Sequence, residues 1–207
     1  KWRLKGIVEY EGLEHLENRG KQGALLMSMH FTTLEIGASL LGLVCVIDGM
    51  YRVHKNPLFD YIQRRGRERY NSATGATAIS RRDIKTMLRR LRTGHAVWYA
   101  PDQDYGEKHS TFATFFGNTA ATVTATSRFA RLGKAQVIPF TQTRLPNAKG
   151  YKITIQPPLE NFPTDDEQAD AQTINDLVET AVRAQPEQYL WAHRRFKTRP
   201  PGEPRPY

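Results

Sequence analysis

The sequence has 207 residues, with 30 Lys+Arg against 21 Asp+Glu and a formal net charge of +9. That length suits one sizeable domain, and 39% hydrophobic with 10% aromatic residues excludes a chain too polar to bury a core. A single cysteine, Cys45, excludes a disulfide framework and a multi-cysteine metal site, and the longest nearly unbroken apolar run, Gly37 to Ile47, is shorter than the ~20 residues that span a bilayer.

In chain order, periodicity predicts a strand over Gly23–Met29, a helix over Thr33–Leu41 and a strand over Leu43–Asp48. A helix over Leu58–Arg67, a second over Arg81–Leu91 and a strand over Ala96–Ala100 follow. The rest reads as a helix over Thr119–Leu132, strands over Ala135–Phe140 and Tyr151–Gln156, and an acidic helix over Asp165–Ala184. Strands separated by helical stretches indicate βαβ units, hence an α/β fold with a central, mostly parallel sheet flanked by helices. The expected domain is 1–199, with a Pro-rich tail at 200–207.

Charge is clustered. Arg64, Arg65, Arg67 and Arg69 form one group, and five arginines with Lys85 lie between Arg81 and Arg92 against Asp83 alone. A third group, Arg194, Arg195, Lys197, Arg199 and Arg205, closes the chain, whereas Glu160 to Glu179 holds seven acids and no base. This asymmetry predicts a basic working face and an acidic partner. Ile84, Met87, Leu88 and Leu91 give the basic helix a buried stripe, leaving its cations for an acidic protein or anionic headgroups, with a plain solvated face as the alternative.

The sharpest local pattern is Met29-His30-Phe31-Thr32-Thr33-Leu34-Glu35 at the end of an apolar strand. Five residues along one helix leave side chains ~140° apart, so His30 and Glu35 meet only if His30 precedes the helix. Thr32 and Glu35 have capping-box spacing, which turns the chain at His30. A carboxylate on one imidazole nitrogen then leaves the other to remove a proton from a hydroxyl. The competing reading makes Glu35 only a cap and His30 a core-edge residue. No nucleophile elbow surrounds Ser28, and Cys45 sits in an apolar run, so direct transfer to an acceptor hydroxyl fits better than a covalent intermediate.

Two further constellations stand out. Arg67 and Arg69 close the helix after Leu58, where cations suit the dipole or bind a phosphate or oxyanion. Asp102-Gln103-Asp104 follows the strand Ala96–Ala100, at the carboxyl end where open α/β sheets place their sites. An Asp-x-Asp cation site and a plain Pro-Asp turn are the alternatives. His15, His54, His95, His109 and His193 show no ligand spacing.

Three ordered blocks, His30 to Gly37, Val97 to Gly106 and Pro186 to Pro200, resemble the late acyltransferases of lipid A biosynthesis, closest to the lauroyl- and palmitoleoyltransferases. The resemblance covers essentially the whole chain. It implies a fold like that of the glycerolipid acyltransferases, with a catalytic histidine at a strand–helix junction. It further implies His30 as base, Glu35 as its orienting acid, and Arg67 and Asp102 as substrate-binding residues, without metal or redox cofactor. The implied reaction moves a fatty acyl chain, lauroyl by nearest resemblance, from an acyl carrier protein thioester to the 3-hydroxyacyl hydroxyl of a Kdo-bearing lipid A precursor.

Acyl carrier protein, the anionic precursor and the membrane surface are then the expected partners, with no nucleic acid. The chain opens on Lys1 without a secretory signal, and the expected location is the cytoplasmic face of a Gram-negative inner membrane, the family's anchor lying upstream. Residues Asn71 to Ser80 look longer than the family's loop. A glycerolipid acyltransferase with the same dyad is the alternative reading, and a basic nucleic-acid-binding module a distant one.

Overall fold

A computed structural model describes residues 6–68, 77–204, 206 and 207. Its elements are β1 (Val8–Glu11), α1 (Glu14–Glu17), β2 (Ala24–Met27), α2 (Leu34–Leu41), β3 (Ile47–Tyr51), α3 (Pro57–Glu68), β4 (Ala78–Ser80), α4 (Ile84–Arg92) and β5 (Ala96–Tyr99). There follow β6 (Ser110–Phe115), β7 (Asn118–Val123), α5 (Ala125–Gly133), β8 (Gln136–Arg144), β9 (Tyr151–Ile155), α6 (Glu167–Ala184) and a 3-10 turn at Pro186–Gln188.

Seven strands form one sheet in the order β1-β9-β8-β2-β5-β3-β4, parallel throughout except where β8 meets β9. β2 lies between β8 and β5 and is buried on both faces, which is why Ala24-Leu25-Leu26-Met27 reads as a continuous apolar run. Its side chains alternate between two cores. Leu25 and Met27 join Val97, Val137, Met87, Leu91, Ala130, Ile174 and Val178 on the face covered by α4, α5 and α6. Ala24 and Leu26 join Leu40, Leu41, Ala96 and Ile138 on the face covered by α2.

The chain leaves β2 toward one face, through α2, and leaves β5 toward the other, through α5. Connections that part in this way open a crevice at the carboxyl ends of the two strands. His30 follows β2 and Asp102 follows β5, so the topology brings both to that crevice.

The mostly parallel α/β sheet is as expected, but several elements differ. Leu43–Val46 is not strand: the N–H groups of Leu43, Val44 and Cys45 still bond back to Leu40 and Leu41 carbonyls, extending the end of α2, and β3 begins only at Ile47. The predicted helix Thr119–Leu132 is half strand. Phe116 and Gly117 both have positive φ, 49° and 73°, which closes a tight hairpin pairing β6 with β7, and α5 starts after it.

The C-terminal basic group also differs from expectation, because two of its arginines are absorbed by packing. Arg195 is buried and donates to Ala121 O, Thr122 Oγ1 and Asn175 Oδ1, while Arg199 pairs with Glu203 and donates to Thr119 O. The tail is tied as well, since Phe196 N donates to the Tyr207 hydroxyl at 2.7 Å. Arg69, Arg205 and residues 71–76 of the stretch expected to be longer than the family's loop lie outside the described residues.

Candidate active site

The chain turns after Met27, and the imidazole of His30 stands at the carboxyl edge of β2 with its side chain 23% exposed. Asp102 meets it from the neighbouring strand end. His30 Nδ1 lies 2.6 Å from Asp102 Oδ1, and the His30 backbone N–H donates to Asp102 Oδ2 at 2.8 Å. Two contacts to one carboxylate fix both the ring and the backbone that carries it. With Nδ1 committed to the carboxylate, Nε2 is the nitrogen left to exchange a proton.

Asp102 is 3% exposed. Burial pushes its carboxyl up, but the hydrogen bonds and charge of His30, with help from Tyr189, more than offset this and hold it below the ordinary carboxylate range. The Tyr189 hydroxyl donates to Asp102 Oδ2 at 3.1 Å. Burial first, and then the adjacent carboxylate, push that phenol up, so it stays a donor.

The C-terminal segment that carries Tyr189 clamps the junction. Leu190 N donates to His30 O at 2.9 Å, Thr32 N donates to Gln188 O at 2.8 Å, and Phe31 and Tyr189 form an isolated antiparallel bridge. Tyr189 sits inside a block quoted from the sequence, but its contact spans 87 positions and no local pattern announces it.

The expected contact between Glu35 and His30 is not formed. α2 begins one residue later than a Thr32 cap requires, with Thr33 at the N-cap and no side-chain cap; the Thr33 hydroxyl instead donates to Gln142 O at 3.2 Å. Glu35, in the first turn of α2, faces Arg67 on α3. Arg67 donates through Nη2 to Oε1 at 2.5 Å and through Nε to Oε2 at 3.3 Å, a bidentate fork. The four expected residues thus form two pairs, His30–Asp102 and Glu35–Arg67. Asp102, expected to hold substrate, is the acid on the histidine.

An apolar groove of about 550 Å³ opens beside the dyad, lined by Leu34, Ala38, Ile47, Met50, Phe59 and Ile62, with Trp98 at its His30 end. Glu35 and Arg67 sit on its wall together with Ser39, His54, Gln63, Glu68 and Thr77, so one side of the groove is polar. The volume lies in the range of small-molecule sites.

Other sequence candidates take structural places. The Ser28 hydroxyl is buried on Gln142 Oε1 at 3.3 Å, and burial pushes the Cys45 thiol up to about 12. Asp104 does not share a focus with Asp102. Its carboxylate accepts from Gly106 N, Thr198 N and Thr198 Oγ1, which braces the C-terminal segment. No group of three or more His, Cys, Asp or Glu is placed to hold a metal ion among the described residues. His95 rests on buried Asp48 at 3.0 Å, and His193 Nε2 accepts from Asp104 N at 2.8 Å.

Comparison with known proteins adds to this geometry. The family model for bacterial lipid A biosynthesis acyltransferases matches residues 1–198. The chain is 42% identical over 208 residues to the lipid A biosynthesis lauroyltransferase of Escherichia coli K12, covering 99% of this chain and 67% of that protein. It is 41% identical over 204 residues to the palmitoleoyltransferase of the same organism, covering 97% of this chain and 65% of that protein. The chain therefore spans about two thirds of the length of these relatives.

Among solved structures, the 1-acyl-sn-glycerophosphate acyltransferase of Thermotoga maritima matches with a TM-score of 0.52 at 13% identity, over 88% of this chain and 73% of that one. That likeness shows the glycerolipid-acyltransferase type of fold. With the family match running through all three sequence blocks and through both residue pairs at the crevice, the chain belongs to the bacterial lipid A biosynthesis acyltransferase family.

Proposed function

We propose that this protein transfers a lauroyl chain from acyl carrier protein to the hydroxyl of a 3-hydroxyacyl chain on a Kdo-bearing lipid A precursor. The observation that carries the reading is the His30–Asp102 pair, a buried carboxylate on Nδ1 with Nε2 left to work. In the reaction, Nε2 takes the proton of the acceptor hydroxyl as its oxygen attacks the thioester carbonyl carbon. The tetrahedral oxyanion then collapses, the carbon–sulfur bond breaks, and the carrier's thiolate takes the proton back from the imidazolium. Asp102 holds the tautomer and stabilises the imidazolium.

Glu35 acts through Arg67, fixing the guanidinium on the groove wall, where it serves as donor to the oxyanion or to a substrate oxygen. The apolar groove takes the acyl chain. No metal or redox cofactor enters the scheme, and the carrier-bound thioester is the co-substrate.

The reaction takes place at the cytoplasmic face of the inner membrane. α3 supports a membrane-surface position: it buries no residue, it exposes Leu58, Phe59, Tyr61 and Ile62, and Arg64 and Arg65 follow on the same helix. No helix among the described residues is long and apolar enough to cross a membrane.

The test offers the protein lauroyl, myristoyl and palmitoleoyl carrier protein with the Kdo-bearing precursor or with lysophosphatidate. Lauroylated precursor as the main product is expected. Phosphatidate as the main product would move the protein to glycerolipid acylation, and preference for another donor would change the chain length alone.

A further inference from the structure

Beyond the dyad and the apolar groove, a second cleft of about 700 Å³ opens at the same edge of the sheet, lined by Arg52, Val53, His54, Lys55, Ser80, Arg81 and Arg82. Four of these seven are permanent cations, and no carboxylate lines the cleft. The loops after β3 and β4 supply it, just as the loops after β2 and β5 supply His30 and Asp102.

Several cations of the other basic groups are engaged within the fold. Arg90 lies on buried Asp48, Arg92 donates to Leu132 O, Arg67 is forked on Glu35, and Arg195 and Arg199 are taken up by the C-terminal packing. Arg52, Lys55, Arg81 and Arg82 form no ion pair among the described residues. All four are exposed and share one concavity that no carboxylate lines, which focuses positive potential there.

Position adds the second argument. His54 lines both this cleft and the apolar groove, so the two adjoin at that residue. Arg81 lies over the ring of Tyr105 at 6.0 Å, and Tyr105 belongs to the loop after β5 that carries Asp102. β3 is two strands from β2 and β4 is three, which at the usual spacing sets the cleft roughly 10–15 Å from His30. An amphiphile with an acyl chain in the groove would have an anionic group within reach of this cleft.

We propose that the Arg52–Lys55 and Arg81–Arg82 cleft is a phosphate-binding site that holds a phosphate group of a substrate while the reacting atoms lie at His30. Guanidinium forks and a lysine suit the several oxygens of a phosphate, as a point or a bidentate contact. The phosphate belongs either to the sugar headgroup of the acceptor or to the pantetheine arm of the donor. The assignment deepens the acyltransferase reading, but phosphate binding is measured without turnover, so either can fail alone.

The experiment titrates the protein with glucosamine 1-phosphate against glucosamine, and with pantetheine 4′-phosphate against pantetheine, following binding by ligand-observed NMR. It compares the wild type with Arg81→Ala/Arg82→Ala and with Lys21→Ala/Lys149→Ala, two exposed lysines outside the cleft, and melting curves confirm that each variant folds. If Arg81→Ala/Arg82→Ala melts early, Arg52→Gln/Lys55→Gln replaces it.

Phosphate-dependent binding that weakens at least tenfold in the cleft variant and stays within twofold in the lysine variant is the expected result. The ligand pair showing it identifies the source as acceptor or donor. Equal binding with and without phosphate, or equal loss in both variants, overturns the site. A His30→Ala protein that keeps this binding but lacks transfer separates the cleft from the chemistry.

Discussion

Tyr189 and His30 share one carboxylate: the phenol of Tyr189 and the backbone N–H of His30 both donate to Asp102 Oδ2, while His30 Nδ1 meets Oδ1. The catalytic strand end and the C-terminal segment are therefore tied through a single buried acid. Tyr189→Phe removes one donor to a charged group, a loss of about 1.5–3 kcal/mol. If part of that acts on the orientation of His30, kcat falls on the order of tenfold with KM little changed. A lower melting temperature with unchanged kcat would make the contact purely structural.

The Asp102 carboxyl is held below its ordinary value, so in acid the unfolded chain takes up its proton first. Its contribution to stability is fully present above the unfolded value of about 3.9 and is lost as pH falls through the lowered folded value. Urea unfolding at pH 6 and at pH 3 is therefore expected to show Asp102→Asn well below wild type at the higher pH, with the gap narrowing at the lower. A constant gap would contradict the assignment.

Gly37 stands where α2 crosses β8, and a Cβ there would lie 2.7 Å from Gln142 Cγ and 2.8 Å from Gln142 Cβ. Gln142 also receives Ser28 and, through its backbone, Thr33, so pushing it away disturbs both sides of the His30 turn. Gly37→Ala should cost about 1–3 kcal/mol by overpacking. Chemical denaturation measures it, and an unchanged midpoint would mean that α2 can slide.

Arg67→Ala leaves Glu35 unpaired on a largely exposed site, so the melting temperature should move little. Transfer should fall by 10-fold or more, on the order of one removed donor at a developing charge. Arg67→Lys keeps the charge but loses the fork and should recover only part of the rate. Unchanged kinetics in both would reduce Arg67 to a helix-end cation.

The apolar strands and the position of His30 were legible in the sequence because burial on both faces of a parallel sheet writes itself as local runs such as Ala24 to Met27. The capping pattern Thr32 to Glu35 misled, because Thr33 spends its hydroxyl on Gln142, which is 109 positions away. Spacing also favoured Glu35 as the partner of His30, being near in sequence, whereas the adjacency of β2 and β5 brings Asp102 across 72 positions. The β6–β7 hairpin hid behind Phe116-Gly117, where a non-glycine residue with positive φ gives no strong turn signal. Edge strands β1 and β4 are only four and three residues long, too short for periodicity to declare.

The most direct measurement compares transfer rates of His30→Ala, Asp102→Asn and Glu35→Gln with the wild type, using lauroyl carrier protein and the Kdo-bearing precursor. Loss of the base and loss of its orienting acid should each reduce kcat by roughly 10²–10⁴, while Glu35→Gln, acting only through Arg67, should cost about tenfold. A Glu35→Gln protein as inactive as His30→Ala, beside an Asp102→Asn protein of near-normal rate, would contradict the His30–Asp102 dyad and return the histidine to Glu35.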